Sequence, residues 1–433
     1  MTTLDTPPCL ARPGAPPAAR PDALPDARPD ARPCLRARIA RALSARIVRR
    51  IPVRVTMPDG SVLGRRDASG APDDLPVIRV VRPRAFFARL GHAPKIGFGE
   101  AYMAGDWRPA PGVDLGVALA PFAASIGDAV PAWMQRLRGL VEERLPAHQR
   151  NTLPGARRNI EAHYDLSNDL FAAFLDPSMT YSSALFDDRR PLAEQDLEEA
   201  QLRKVDAALD AAGVGAGTRL LEIGTGWGTL ALRAARRGAH VTTLTLSSEQ
   251  AELAREGIAE AGLADHVDVR LEDYREATGT YDAVVSIEMI EAVGDEYWPT
   301  YFAAIDRLLA PGGTAVVQAI LMSHTRYLAT RRSFSWIQKH IFPGGIIPSL
   351  VGIEQALEPT ALRIVDARHF GASYAETLRR WRRRFGEHWP DITRLGFDET
   401  FRRMWEFYLA YSESGFATGY LDVAQLRLRR VGA

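Results

Sequence analysis

Three glycines two residues apart, Gly224, Gly226 and Gly228, follow an apolar run that ends in Glu222. A glycine turn of this kind lets backbone N–H groups come close to a nucleotide-like ligand. Its spacing is Gly-x-Gly-x-Gly, whereas a dinucleotide turn is Gly-x-Gly-x-x-Gly and needs the extra residue for a diphosphate. Downstream, Leu244-Thr245-Leu246-Ser247 has no carboxylate for ribose hydroxyls before Glu249. In "LEDY", Asp273 can accept from an adenine amino group and Tyr274 can cover the ring. A sulfonium nucleoside carries no phosphate and suits this set. The ligand reads as S-adenosylmethionine and the chemistry as methyl transfer, with NAD(P) the runner-up.

These residues need elements to position them. Thr218–Ile223 reads as a buried strand, and Thr229–Arg237 as the helix after the turn. "HVTTLTLS" is a second strand, followed by a helix with Ser247 and Ser248 as cap candidates. "VDVRLEDYREA" and "YDAVVSIEMIEAVG" contain a third and a fourth. A helix and a Pro-Gly-Gly turn lead to a fifth in "TAVVQAIL". Such alternation predicts an α/β fold, a doubly wound, mostly parallel Rossmann-like sheet with its ligand at the strands' C-terminal ends. Upstream, "LEEAQLRKVDAALDAAGV" reads as an amphipathic helix, and 159–188 as helix, turn and short strand.

The 433 residues, 46% hydrophobic and 25% charged, leave room for two or three domains. A formal charge of +1 argues against a nucleic-acid binder. No apolar run nears the roughly 20 residues that span a bilayer. With no secretory signal either, the expected location is cytoplasmic. Cys9 and Cys34 offer neither a disulfide framework nor metal-ligand spacing, so no metal site is expected. Residues 1–44 are rich in Pro, Ala, Arg and Asp and read as a disordered tail. Residues 1–50 hold ten Arg against four Asp, so this arm either touches anionic lipid or is simply solvated. Residues 45–145 read as a small α+β domain with a hairpin at Pro58-Asp59-Gly60, and 146–433 as the methyltransferase domain.

The motifs "HYDLSNDLFAAFLDPSMTYSSA", "LLEIGTGWGTLA", "TLTLSSEQ", "SIEMIEAVG", "IQKHIFPGGIIPS" and "HFGASYAETLRRW" occur in this order. With them the chain, over about 45–433, resembles the cyclopropane-fatty-acyl-phospholipid synthase family, which includes the mycolic acid cyclopropane synthases. The resemblance implies methyl transfer from S-adenosylmethionine to a cis double bond of a phospholipid acyl chain. It also implies that the front domain, 45–145, engages membrane lipid.

By the same resemblance Tyr164, Tyr181 and Ser182 flank the cofactor's amino-acid end, and Gly224 and Gly226 form its loop. Thr245, Leu246 and Gln250 meet the ribose, and Asp273 and Tyr274 the adenine. Relatives hold a bicarbonate ion as general base in a side-chain cradle. Glu291 and Tyr374 match two members of it, and Ile320 a backbone contributor.

Several positions depart from the family pattern. A usual cysteine is Ser183, a usual histidine Gln318, a usual glycine Glu288, and a late cysteine Ser412. The reaction leaves a carbocation, so the site needs groups that stabilise it and a base. Glu288 and Glu291, three residues apart, would share a face on a helical turn. The expectation is that Glu288 makes bicarbonate dispensable or displaces it; the alternative is a solvated or capping acid. "FSWIQKHIFPGGIIPSL" (334–350) reads as acyl-tunnel wall or buried connection. The arginines of Thr377–Trp389 read as a headgroup face or a solvated one.

The expected partners are membrane phospholipids with unsaturated chains, met peripherally at the inner face of the membrane, and no nucleic acid. A methyl-branched product would add a separate reductase. A homodimer stays open, as does the choice between cyclopropane, methylene and methyl branch. Two competing functions are methylation of a soluble small molecule and non-catalytic lipid binding.

Overall fold

The computed structural model describes residues 35–64, 75–129, 146, 151–152, 155 and 167–431. The first described element, α1 (Leu35–Val48), precedes β1 (Arg54–Thr56) and β2 (Val62–Gly64). These two strands pair antiparallel around Pro58-Asp59-Gly60, where Gly60 takes φ +78°. β3 (Val77–Val80) lies parallel to β1, and β4 (Trp107–Pro109) closes a four-stranded sheet antiparallel to β3. Helices α2 (Pro83–His92), α3 (Pro94–Met103) and α4 (Leu115–Ala129) complete this front unit. Proline opens both α2 and α3, where its missing N–H has no intrahelical partner to lose. The reading of 1–44 as tail is corrected at its end. Leu35–Ser44 is helical because Ala37 is buried and Leu43 faces an internal cavity.

Past α5 (Asn168–Phe174) and α6 (Leu197–Ala212), the chain builds a seven-stranded sheet. Its strands are β5 (Arg219–Ile223), β6 (His240–Thr245), β7 (Val267–Leu271), β8 (Tyr281–Ile287), β9 (Leu309–Met322), β10 (Leu362–His369) and β11 (Leu421–Arg430), in the order β10-β11-β9-β8-β5-β6-β7. The five strands from β7 to β9 are parallel, as the alternating pattern predicts; β11 and β10 add an antiparallel edge that it did not indicate. Leu220 and Leu221 pack into cores on opposite faces of the sheet, which is why β5 reads as a continuous apolar run. One face carries α6, α7 (Thr229–Arg236) and α8 (Ser248–Glu260), the other α9 (Trp298–Leu308) and, beyond α10 (His324–Thr330) and α11 (Trp336–His340), α12 (Leu350–Leu357).

Two local expectations change. Pro311-Gly312-Gly313 is a bulge inside β9, because pairing with β8 already begins at Leu309 and shifts register between Tyr281 and Ala283. The segment after α5 forms no strand. Its N–H groups go instead to side chains and a helix carbonyl: Ser183 to Glu288, Ala184 to Thr377, Phe186 to Ser373 and Leu185 to the Ala200 carbonyl. Helices α13 (Gly371–Glu387), α14 (Trp389–Arg394) and α15 (Glu399–Ala417) follow β10. Trp381 and Trp405 from this group share one continuous core with Ile78, Phe87 and Trp107 of the front unit. Arg382 of α13 binds Asp114 and Glu413 at 2.8 and 2.9 Å, so its charge serves helix packing.

Candidate active site

The glycine loop leaves the C-terminal end of β5, between β6 on one side and β8 on the other. This is the switch point where doubly wound sheets bind ligands. Gly224 and Gly226 take φ +98° and +52°. A Cβ on Gly224 would lie 2.6 Å from Met289 Cγ, so the loop needs glycine there for conformation and for space. The N–H groups of Gly224 and Thr225 both donate to the Leu244 carbonyl, at 2.9 and 3.0 Å, and pin the loop to β6. Behind it Glu222 is buried; its carboxyl accepts from Thr243 Oγ1 at 2.6 Å, and burial pushes it up to about 8.

The other expected cofactor residues gather around this loop. Thr245 Oγ1 donates to Gln250 Oε1 at 3.0 Å, which leaves the Gln250 amide NH2 to serve a ligand. Asp273 is gripped by Arg275 at 2.6 Å, and Tyr274 stands edge-on to Tyr301. The Tyr181 and Tyr408 hydroxyls lie 2.8 Å apart. Tyr181, Ser182, Gly224, Gly226, Thr245, Leu246, Gln250, Asp273 and Tyr274 line one cavity of about 980 Å³. Tyr164 lies outside the described residues.

Beside the loop, after the neighbouring strand β8, an acid cluster lines the same cavity. Glu288 follows β8 with φ +51°, a conformation that costs a residue bearing Cβ on the order of 1 kcal/mol. Its Oε1 accepts from the Ser183 N–H at 2.9 Å and from Gln318 Nε2 at 2.7 Å; its Oε2 accepts from the Tyr374 hydroxyl at 2.6 Å. Gln318 is oriented by Gln425 Nε2, which donates to its Oε1 at 3.1 Å from the paired position on β11. Burial pushes the Glu288 carboxyl up, and Tyr374, the Ser183 N–H, Lys204 and Gln318 pull it back down. Glu291 Oε1 accepts from the Ile320 N–H, while its buried Oε2 has no partner among the described residues. Burial and the neighbouring Glu288 push Glu291 up to about 8, so it carries a proton at neutral pH.

The two acids do not share a helical turn. Glu288 precedes the single 3-10 turn Ile290–Ala292, and its left-handed backbone brings it beside Glu291. Ser183 contributes its backbone N–H, while its hydroxyl donates to the Ala184 carbonyl. Ser183 and Gln318 stand behind Glu288, whereas Glu288, Glu291, Ile320, Tyr374 and Ser412 reach the cavity wall.

A bicarbonate ion does not suit these residues. The donors expected to cradle it, from Ser183, Gln318 and Tyr374, are engaged by Glu288, and that of Ile320 by Glu291. Among the described residues no cluster of three or more His, Cys, Asp or Glu could hold a metal.

Two features were missed from sequence. Lys204, on the inner face of α6 with Ala200, Val205 and Ala208, is 1% exposed, and its Nζ donates to Ser182 Oγ at 2.6 Å. A lysine aligned with the apolar stripe of an amphipathic helix was the available signal. The cavity also runs on into the front unit, between Leu43 and Ile47 of α1, Phe87 of α2, Phe98 of α3 and Phe122 of α4. Trp336 and Phe342 of the 334–350 segment line it too.

Comparison with known proteins gives a consistent picture. The profile for mycolic acid cyclopropane synthetase matches residues 152–426. Tuberculostearic acid methyltransferase UfaA1 of Mycobacterium tuberculosis is 50% identical over 385 residues, 88% of each chain. Cyclopropane-fatty-acyl-phospholipid synthase of Escherichia coli K12 is 35% identical over 368 residues, 82% of this chain and 87% of that one. The crystal structure of mycolic acid cyclopropane synthase CmaA1 with SAH and CTAB superposes with a TM-score of 0.58 at 30% identity, covering 63% of this chain and 98% of that one.

Proposed function

The chain belongs to the mycolic acid cyclopropane synthetase family, and on that premise we propose that it transfers a methyl group from S-adenosylmethionine to the cis double bond of an unsaturated phospholipid acyl chain. The observation that carries this reading is a half-buried carboxylate, Glu288, which lines the same cavity as the glycine loop, a cavity that continues between apolar side chains into the front unit. A long hydrocarbon suits that shape better than a small polar acceptor does.

The glycine loop, Gln250 and Asp273 would hold the nucleoside, and Tyr181 and Ser182 its amino-acid end. When bound, S-adenosylmethionine supplies a sulfonium methyl for the double bond's π electrons, which leaves a cation on the chain. Tyr374 and Tyr181 offer electron-rich rings to that cation, and the packed walls keep water from it. Glu288 accepts the proton that ends the reaction, and a carboxyl raised by burial is the stronger base for it. Taken directly from the new methyl, that proton leaves an electron pair that closes a cyclopropane. After a hydride shift to the neighbouring carbon, the same loss gives a methylene branch.

The branched outcome is favoured by the relative at 50% identity, a tuberculostearic acid methyltransferase, over the cyclopropane synthase at 35%. Saturating the branch would take a hydride and a proton, which we assign to a separate reductase. Among the described residues no helix is long and apolar enough to cross a membrane. Access to the acyl chain is therefore assigned to peripheral contact.

The test is mass spectrometry of fatty acids from a host that expresses the chain and is fed methyl-labelled methionine. One labelled carbon per modified acyl chain is expected, as a ring or an alkene. No labelled lipid would overturn the reading.

A further inference from the structure

Lys204 lines the cavity, and the proposed reaction leaves its chemistry unused. Its amine is buried on α6 and donates to Ser182 Oγ at 2.6 Å; burial lowers it to about 8, so it is an ammonium at pH 7. Three carboxyls draw on that charge: Glu288 at the end of β8, Asp176 after α5 and Glu222 at the end of β5. Two further acidic groups face Glu288 itself, Glu291 from the 3-10 turn and the phenol of Tyr374 from α13. A lone buried ammonium is costly, so it needs a partner that is ionised.

Hydrogen bonding identifies that partner. Glu222 has one side-chain donor, Thr243, and Glu291 one backbone donor, Ile320; burial pushes both up to about 8, so both are neutral at pH 7. Asp176 gives one oxygen to Ser178 and leaves the other buried without a hydrogen bond. Glu288 alone of the four has donors from three residues, Tyr374, Ser183 and Gln318, placed on both of its oxygens. Three donors stabilise a carboxylate far better than one.

We propose that Lys204 is a positioning residue for the methyl-transfer reaction, its buried ammonium keeping Glu288 a carboxylate and linking it through Ser182 to the cofactor side of the cavity. The inference rests on the proposed function for its consequence and, for the pairing, on the run Ser182-Ser183: the Ser182 hydroxyl accepts from Lys204 at 2.6 Å and the next N–H donates to Glu288 at 2.9 Å. Its role is exerted through Glu288. With the ammonium gone, Glu288 would gain a proton at neutral pH and could no longer accept one from the acyl cation.

The experiment uses the full-length protein with Lys204→Met, Lys204→Gln and Lys204→Arg. Methylation rates are followed from pH 6 to 9.5 on oleoyl phosphatidylethanolamine/phosphatidylglycerol vesicles at saturating S-adenosylmethionine. The acid limb of the profile should move up by about 1 to 3 pH units in the Met and Gln variants. At pH 7 their rate should fall at least tenfold and recover toward pH 9, while Arg holds the limb in place. An equal loss at every pH would overturn the proposal, since a merely structural lysine gives that result.

Infrared spectroscopy of the wild type tests the pairing without any Lys204 variant. The band lost in Glu288→Gln should be that of a carboxylate at pH 7. A protonated carboxyl there would overturn the proposal even if every Lys204 variant failed to fold. If the wild type labels no lipid, the proposed function fails, and the infrared band still judges the pairing.

Discussion

The Tyr374 hydroxyl and Glu288 Oε2 meet at 2.6 Å, joining the first turn of α13 to the end of β8 across the cavity. Ring packing fixes the phenol, with Phe416 at 4.4 Å and Trp381 edge-on. Burial and the Glu288 charge push its hydroxyl well above the ordinary tyrosine range, so it remains a donor throughout the working pH range. In Tyr374→Phe one hydrogen bond to a charged acceptor is lost, worth about 1.5–3 kcal/mol. Methyl transfer should fall roughly 10- to 100-fold, while S-adenosylhomocysteine affinity by calorimetry stays near wild type. An unchanged rate would remove Tyr374 from the base's support.

Glu288→Gly sets backbone relief against stranded donors. The substitution relieves the left-handed backbone, about 1 kcal/mol, but leaves the Ser183 N–H, Gln318 Nε2 and the Tyr374 hydroxyl without their acceptor, at about 1–3 kcal/mol each. The melting temperature should fall and the rate should drop at least about 100-fold. The donors of Ser183, Gln318 and Tyr374 are then free for an added anion, so bicarbonate should restore part of the variant's rate and leave wild type unmoved. Strong bicarbonate dependence of the wild type would contradict this.

The glycine loop offers a contrast within three residues. Gly224→Ala drives a methyl group into Met289 at 2.6 Å, at a backbone angle that disfavours side chains. Binding of S-adenosylhomocysteine should weaken at least about tenfold. At Gly226 a Cβ meets nothing within 4 Å, so the cost to folding of Gly226→Ala is backbone strain alone. Calorimetry together with thermal melts would separate the two, Gly224→Ala being the more damaging to both.

Glu291 makes stability depend on pH. Its folded pKa is raised from 4.5 to about 8, so below 4.5 both states hold the proton and nothing is lost. Between about 4.5 and 8 the unfolded chain releases a proton that the folded protein keeps, and stability falls as pH rises. Glu291→Gln removes this dependence. The variant's melting temperature should gain on wild type steadily from pH 5 to 8, and a constant difference over that range would refute the assignment.

The chain by itself determined what depends on neighbours in sequence. The strand–glycine–helix unit at 219–236, the alternation of strands and helices and the hairpin at Pro58-Asp59-Gly60 each need only local pattern and backbone freedom. The departures at Ser183, Gln318 and Glu288 were also visible, but their meaning was not. Glu288 is 105 residues from Ser183, 86 from Tyr374 and 30 from Gln318, and only packing brings these within 3 Å. A glutamate or a helical lysine defaults to solvent, so the half-burial of Glu288 and the burial of Lys204 follow from the elements packed around them. The same holds for the cavity, whose wall draws on α1 at one end of the chain and α15 near the other. Local propensity placed the loop that faces the donor; distant packing placed the carboxylate in the same cavity, because burial and hydrogen-bond distance are properties of the assembled core.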